Sequence, residues 1–272
     1  MAFKISGFGA FQKEEKETSL THNAYPQTIV PRKSLVQIRF SGKGMALTYY
    51  NDRFDLKVGD QVYVDGKLEG LLGRITEISY NFKIKVSDYQ KVIAVVDTDV
   101  SGQFYLAGSH FVTFDASALP AEKVKLWFKA PEREEDEFVS SCDDSTFWLN
   151  DPKDLKISSA IAERGQNYYL ENRVCYLCLD GTKGFAIVEG SKAYTVEFRY
   201  QNGEISHLIC DCPCTCTCKH DFAAMLQLRE TLELIEKHYA AEHTSTDYFA
   251  AVAKGTLFSF AIDGKETGSF TL

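Results

Sequence analysis

The 272-residue sequence predicts an α+β protein: an N-terminal all-β, barrel-like domain, then a C-terminal α+β domain in which a β-hairpin leads into a helix. Three observations carry this expectation. Short runs that alternate apolar and polar residues, divided by turn residues, fill the chain up to Asp115. After Cys218, apolar residues recur at helical intervals. Between the two halves, from Pro131 to Asp151, the acids Glu132, Glu134, Glu135, Asp136, Glu137, Asp143, Asp144 and Asp151 face the single base Arg133, the composition of a solvated linker. The expected division is a β-rich domain over 1–130, an acidic linker or loop over 131–156 and a second domain over 157–272.

Taken in order, "LVQIRF" alternates, and "DQVYVDGKLEGLLGRITEISY" alternates around the turn signals Asp65-Gly66 and Glu69-Gly70. "FKIKV", "KVIAVV", "QFYLAG" and "HFVTFD" are further short strand-like runs. Strands this short and closely spaced suit a small barrel or sandwich. The run "FDLKVGDQVYVDGKLEGLLGRITEI" resembles an SH3-like small barrel, in which a V-G-D-x-V-x-V strand enters a hairpin. In the second half "SSAIAER" predicts a helix ending at Gly165. The strands "YYLENRVCYLCL", "KGFAIVEG", "KAYTVEFRY" and "ISHLIC" follow, separated by the turn-forming "DGTKG", "GS" and "QNG". Phe222, Met225, Leu226, Leu232, Ile235 and Tyr239 then trace one apolar stripe of an amphipathic helix. "TSTDYFAAVAKGTLFSFAI" suggests another helix and then a strand.

Apolar residues make up 44% and charged residues 25%, ordinary globular values, and no apolar run approaches the roughly 20 residues that span a bilayer. "MAFKISGFGAFQKEEK" lacks the uninterrupted apolar core of a signal peptide, so a cytoplasmic location and a reducing environment are expected. Thiols in such a compartment serve metal binding, redox chemistry or packing.

Five of the eight cysteines fall within nine residues, in "CDCPCTCTCKH" from Cys210 to His220. On a regular strand cysteines of equal parity sit about 6.6 Å apart, one to the next. Two sulfurs sharing one zinc must approach to roughly 3.8 Å, so the strand has to bend. Pro213 favours that bend, placing Cys210 and Cys212 at the strand end as one ligand pair. Cys218 and His220 form the other pair at the opening of the helix, where the positive helix terminus favours thiolate. Cys214 and Cys216 could be spectators, exchange with Cys212, or admit a second metal. Zinc is the expected metal, although soft thiolates also accept copper(I) or cadmium.

The spacing C-x-C-x5-C-x-H resembles the SWIM zinc-finger family, whose pattern is C-x-C, a variable gap, then C-x-H. "ERGQNYYLENRV", "AIVEGSKAYTVEFRYQNGEISHLICDCP" and "CKHDFAAMLQL" are similar, in order, to the bacterial form of that module over residues 160 to 230. The resemblance implies a ββα zinc-finger unit with Cys210, Cys212, Cys218 and His220 as ligands, and a binding role toward DNA or proteins. The gap of five residues is short for the family, and the two extra thiols inside it depart from its pattern.

Other chemistry-bearing residues point to little. Cys175 and Cys178 form a C-x-x-C, but on an alternating strand positions three apart face opposite ways, so packing is expected. Cys142 stands alone in the acidic stretch. His207 lies on the strand entering the cluster and could support it from behind. No nucleophile elbow, H-E-x-x-H or phosphate loop is present, and four protein ligands leave no position for a reactive water, so no enzyme is expected.

Two binding roles remain open. Between Val30 and Gln90 ten bases oppose seven acids, and Arg39, Lys43, Arg53, Arg74 and Lys83 with nearby aromatics could contact DNA or RNA. Around the cysteines, from Ala160 to Ala240, eight bases face eleven acids, a poor general phosphate binder. The first role is therefore a nucleic-acid-associated factor using the β domain. The second is an adaptor whose metal module docks a protein partner, without nucleic-acid affinity. Clustering of the five bases on one face favours the first, dispersal the second.

Overall fold

The structure is a computed structural model and describes residues 31–42, 44–132, 146–151, 155, 157–262 and 269–271. Five strands, β1 (Ser34–Phe40), β2 (Leu47–Asn51), β3 (Gln61–Val64), β4 (Gly73–Ser79) and β5 (Val92–Val96), form a sheet in the order β2-β1-β4-β3-β5. The alternation of β1 has its expected consequence: Ser34, Val36, Ile38 and Phe40 are buried while the residues between them are not. Val36, Ile38, Phe40, Val62, Val64, Ile75 and Val92 make the core of this sheet.

The sheet is not the expected closed barrel. Its edge strands β2 and β5 approach at one parallel bridge, Tyr50 to Lys91, where the Tyr50 N–H donates to the Gln90 carbonyl at 2.9 Å. "FKIKV" does not become a strand: Val86–Asp88 is a 3-10 turn, and Phe82 and Ile84 stay only half-buried. The chain between β4 and β5 is therefore a loop with one 3-10 turn.

The second sheet draws on both halves of the chain. Along the sequence come β6 (Ser101–Gln103), β7 (Tyr105–Ala107), β8 (His110–Thr113), α1 (Ala121–Phe128), β9 (Phe147–Trp148), α2 (Ser159–Leu170), β10 (Val174–Asp180), β11 (Lys183–Glu189), β12 (Ala193–Gln201), β13 (Glu204–Cys210), α3 (Lys219–His238), α4 (Ala240–Thr246), β14 (Tyr248–Ala253), α5 (Lys254–Leu257) and β15 (Ser269–Thr271). Eight of the strands form an antiparallel sheet in the order β7-β8-β14-β10-β11-β12-β13-β9, and β15 pairs in parallel with β6. Thus β7 and β8, from the span expected to be a separate N-terminal domain, are built into the same sheet as β10 to β14.

Each face of this sheet is covered. On one, Val174, Leu177, Leu179, Val188 and Val196 pack on Ala223, Ala224, Met225 and Leu228 of α3. On the other, Tyr176, Ile187, Ala250 and Val252 meet Val124 and Trp127 of α1 together with Tyr63, Ala94 and Val96 from the five-stranded sheet. Double coverage explains why β10 and β14 read as nearly continuous apolar runs: all six residues of β14, and six of the seven in β10, are buried.

Two expectations change here. Helix α2 does not stop at Gly165 but runs on to Leu170, so Tyr168 and Tyr169 are helical and the strand starts at Val174. The Ser158 side chain caps its start, accepting from the Ile161 N–H at 3.3 Å. Gly165 is a packing residue rather than a stop, since a Cβ there would lie 2.9 Å from the Lys219 carbonyl oxygen and 2.8 Å from Phe222 Cδ1. Second, Cys175 and Cys178 do not face opposite ways. The β10–β11 register shifts between Val174 and Tyr176, which moves Cys175 into the same core cluster as Cys178. The Cys175 thiol donates to the Ile187 carbonyl at 3.3 Å, and burial pushes it well above its ordinary pKa, so the residue packs as an inert thiol. Cys142 lies outside the described residues.

Candidate metal centre

The hairpin β12–β13 and helix α3 compose a ββα unit, and the cysteine run joins them. Its strand must deliver Cys210 to the side where α3 lies, and strand parity alone does not do so. Ile205 faces the α3-side core, and Cys210, five residues on, would face away from it on an unbroken strand. The structure inserts one residue. Glu197 pairs with Ile209 and Arg199 with Ser206, so Phe198 alone is opposed by both His207 and Leu208. His207 occupies the left-handed region at φ 50, the conformation that bulges of this kind usually reserve for glycine. After the bulge, Leu208 and Cys210 pack toward α3 with Ile205.

That makes His207 more than the plain strand position expected of it: its backbone sets the register that aims Cys210. A non-glycine residue in this conformation costs about 1–2 kcal/mol. His207→Gly should therefore keep the fold and the metal, with stability unchanged or up by about 1 kcal/mol. His207→Val should lower stability by about 2 kcal/mol or more, because a β-branched residue resists positive φ. Thermal melts of the two metal-loaded variants decide this, and equal melting temperatures would sink the bulge assignment.

Beyond Cys210 the chain is pinned between the first two cysteines. Asp211 Oδ1 accepts from the Thr195 N–H at 2.9 Å and its Oδ2 from the Thr195 hydroxyl at 2.8 Å. The Asp211 N–H returns a bond to the Thr195 carbonyl at 3.1 Å, and Lys129, just past α1, forms an ion pair with the same carboxylate. The second pair is set by helix chemistry. Cys218 is the N-cap of α3, its sulfur accepting from the His220 N–H at 3.3 Å, while Asp221 Oδ2 accepts from the Cys218 N–H at 2.8 Å. This is a capping box in which a cysteine sulfur stands where the hydroxyl of serine or threonine is usual.

The result is one cluster. A sulfur from each of Cys210, Cys212 and Cys218 and a ring nitrogen of His220 all lie within 4.8 Å of one another. His220 Nδ1 is 3.5 Å from Cys218 Sγ and 3.7 Å from Cys210 Sγ. Cys212, Cys218 and His220 are 8%, 3% and 4% exposed, so the cluster is closed to bulk water on most sides. The His220 ring is stacked on Tyr194 with centroids 4.3 Å apart and 21° between planes, and Tyr168 touches it at 5.5 Å. Gly190 closes the far side: a Cβ there would stand 3.2 Å from His220 Nε2. Nδ1 therefore faces the sulfurs.

The electrostatics of the group are tightly coupled. Cys210, hydrogen-bonding to Cys218, pulls the Cys218 thiol far below its ordinary value, with His220 adding to the shift; the same shared proton pushes Cys210 up. Burial and then the neighbouring Cys218 push the Asp221 carboxyl up to about 8. A dication at the centre would hold every thiol as thiolate and relieve Asp221. Three soft sulfurs and one imidazole, convergent and buried except for the half-buried Cys210, fit a tetrahedral zinc site. Cys214 and Cys216 are exposed and stand outside the four-atom group.

The basic residues fall into two groups along β1. Arg39 and Arg74 are direct cross-strand partners of β1 and β4 and are both exposed. Arg53 follows the Asn51 that pairs with Ser34, and Lys83 follows the Ser79 that pairs with Leu35, so this second group sits at the opposite end of β1. Lys43 lies outside the described residues.

Fold and site together define a mixed α/β protein carrying a Cys3His cluster able to hold a metal ion. No protein-family profile, curated protein or solved structure matches the chain. The SWIM resemblance accordingly rests on the sequence over residues 160 to 230, and the Cys3His cluster is the part of it that the structure shows. Among the described residues no helix is long and apolar enough to cross a membrane.

Proposed function

We propose that Cys210, Cys212, Cys218 and His220 hold one structural zinc ion, and that the protein is a SWIM-type binding factor that associates with nucleic acid. The convergence of the four ligand atoms within 4.8 Å supports the zinc reading, since it satisfies a tetrahedral shell and leaves no vacant position for a reactive water. Such an ion contributes folding free energy by fastening β13 to α3. It takes no part in chemistry, and the protein is not an enzyme of that metal.

The nucleic-acid reading draws on Arg39 and Arg74. Like charges directly opposite each other on a sheet are destabilising, and among the described residues neither guanidinium has a carboxylate partner. They border an open groove of about 510 Å³ with Ser41, Gln61 and Thr76, where a backbone phosphate would relieve the repulsion. The second reading, an adaptor for a protein partner, is favoured by the net charge of −8 and by the separation of Arg53 and Lys83 from this pair.

Fluorescence anisotropy of zinc-loaded protein with single-stranded DNA, duplex DNA and RNA separates the two. Binding should fall linearly with log salt, and replacing both Arg39 and Arg74 by Ala should reduce the slope by about 2. Absence of binding at low salt would pass the assignment to the adaptor reading.

A further inference from the structure

One end of the eight-stranded sheet carries a cleft that involves neither the cysteine cluster nor Arg39 and Arg74. The start of β8 and the end of β14 meet there, since His110 pairs with Ala253, and so do the start of β10 and the end of β11, since Val174 pairs with Val188. Ser109 just before β8, Lys254 just after β14 and Glu189 at the end of β11 line a cleft of about 510 Å³ with Phe128, Thr256 and Phe260. The Lys254 N–H fastens this rim by donating to the Ser109 carbonyl at 3.2 Å. Strand β10 stands between β14 and β11, which sets Lys254 and Glu189 on strands about 9–10 Å apart. Among the described residues neither side chain takes part in an ion pair. Arg173, whose carbonyl accepts from the Glu189 N–H at 2.8 Å, gives its own guanidinium to Glu171 at 2.5 Å.

The other walls carry no charge. The Phe128 and Phe260 rings meet with centroids 5.5 Å apart, and Phe260 is stacked on Trp127 at 5.2 Å. Behind Ser109 the His110 ring is fully buried, with Nε2 2.7 Å from the Val174 carbonyl oxygen; that oxygen can only accept, so Nε2 carries the proton. Burial pushes the ring down to about 4, which keeps it neutral at pH 7, so Nδ1 accepts the Ser109 hydroxyl proton at 2.9 Å. A ring this hard to charge fixes Ser109 rather than activating it. The cleft thus offers one cation and one anion, held apart by the sheet, beside an aromatic wall. We propose that it binds a free amino acid with an apolar side chain, the carboxylate against Lys254, the ammonium against Glu189 and the side chain against Phe128 and Phe260. A ligand bearing both charges answers Lys254 and Glu189 together, whereas a singly charged one leaves the other unpaired. The site is independent of the zinc and nucleic-acid readings.

The test is isothermal titration calorimetry of the full chain with L-phenylalanine and L-leucine. N-acetyl-L-phenylalanine, which lacks the ammonium, and L-phenylalaninamide, which lacks the carboxylate, serve as analogues. Phenylalanine should bind wild type one to one, and each analogue at least about tenfold more weakly. Lys254→Met should weaken phenylalanine at least about tenfold while leaving phenylalaninamide as in wild type. Glu189→Gln should weaken phenylalanine to a similar extent while leaving N-acetyl-L-phenylalanine as in wild type. A variant that merely folds poorly would weaken every ligand alike, so this crossed pattern separates contact from structure. Arg39→Ala, in the other sheet, should change none of these affinities. Absence of saturable binding by both amino acids, an analogue that matches phenylalanine on wild type, or variants that bind phenylalanine as wild type does would overturn the proposal. The comparison of analogues on wild type holds whatever the variants do.

Discussion

Cys218→Ser should abolish stoichiometric zinc binding and destabilise the chain by several kcal/mol. Cys218 does two things at one position. Its sulfur is 3.5 Å from His220 Nδ1 within the four-atom group, and the same sulfur caps α3 by accepting the His220 N–H. Serine is a good N-cap, so the capping contribution of about 1 kcal/mol survives the substitution. What is lost is a thiolate, for which a hydroxyl is no substitute at a zinc ion. Structural zinc in small modules contributes about 10–16 kcal/mol of apparent binding free energy, so the loss of one of four ligands is expected to dominate over any change in capping. At about 2–4 °C per kcal/mol for a chain of this size, a loss of about 4 kcal/mol lowers the melting temperature by roughly 8–16 °C. A chelator should produce a similar fall in wild type and almost none in the variant. One zinc retained per chain would show instead that Cys214 or Cys216 has taken the vacated place.

The part of this centre that was legible in the sequence is the part that depends on local spacing. C-x-C followed by C-x-H, with Pro213 between the pairs and an apolar helical stripe beyond, is enough to pick out the four residues of the cluster and the strand-to-helix handover. What could not be read depends on neighbours. The bulge at His207 exists because β12 offers one residue, Phe198, against two, and nothing in "ISHLIC" announces that mismatch. The same holds at β10, where a register shift turned Cys175 to the side of Cys178 against simple alternation. In the first sheet "FKIKV", alternating though it is, lies outside the strands, and β2 and β5 come together at one bridge, Tyr50 to Lys91, a long-range meeting that no local pattern encodes. The seating of β7 and β8 beside β14 is likewise a long-range pairing, Thr113 to Ala250 and His110 to Ala253, that no local pattern encodes. The aromatic floor of the site was similarly hidden, since Tyr194 and Tyr168 both read as ordinary strand residues until α2, β12 and α3 are brought together around His220.

Gly165 is where that assembly is most exposed to a single substitution. The residue is buried inside α2, and in an isolated helix replacing it by alanine would gain up to about 1 kcal/mol. Here the new Cβ would lie 2.9 Å from the Lys219 carbonyl oxygen, 2.9 Å from Phe222 Cβ and 2.8 Å from Phe222 Cδ1. The Phe222 ring can turn aside, but the carbonyl is backbone of the residue between Cys218 and His220 and can yield only if the first turn of α3 moves with it. Gly165→Ala should therefore destabilise by about 1–2 kcal/mol after its helical gain is subtracted, and Gly165→Val, larger and β-branched, by about 3 kcal/mol or more. Zinc affinity should fall in the same order, because the displaced turn carries two of the four ligands. Gln166→Ala, at the exposed next position of the same helix, controls for helix propensity and should change stability by no more than about 0.5 kcal/mol. Removing zinc should shrink the Gly165→Val effect, since without the ion the first turn of α3 is freer to withdraw. A melting temperature that rises in Gly165→Ala, with zinc affinity intact, would show that α2 does not press on the metal-bearing turn.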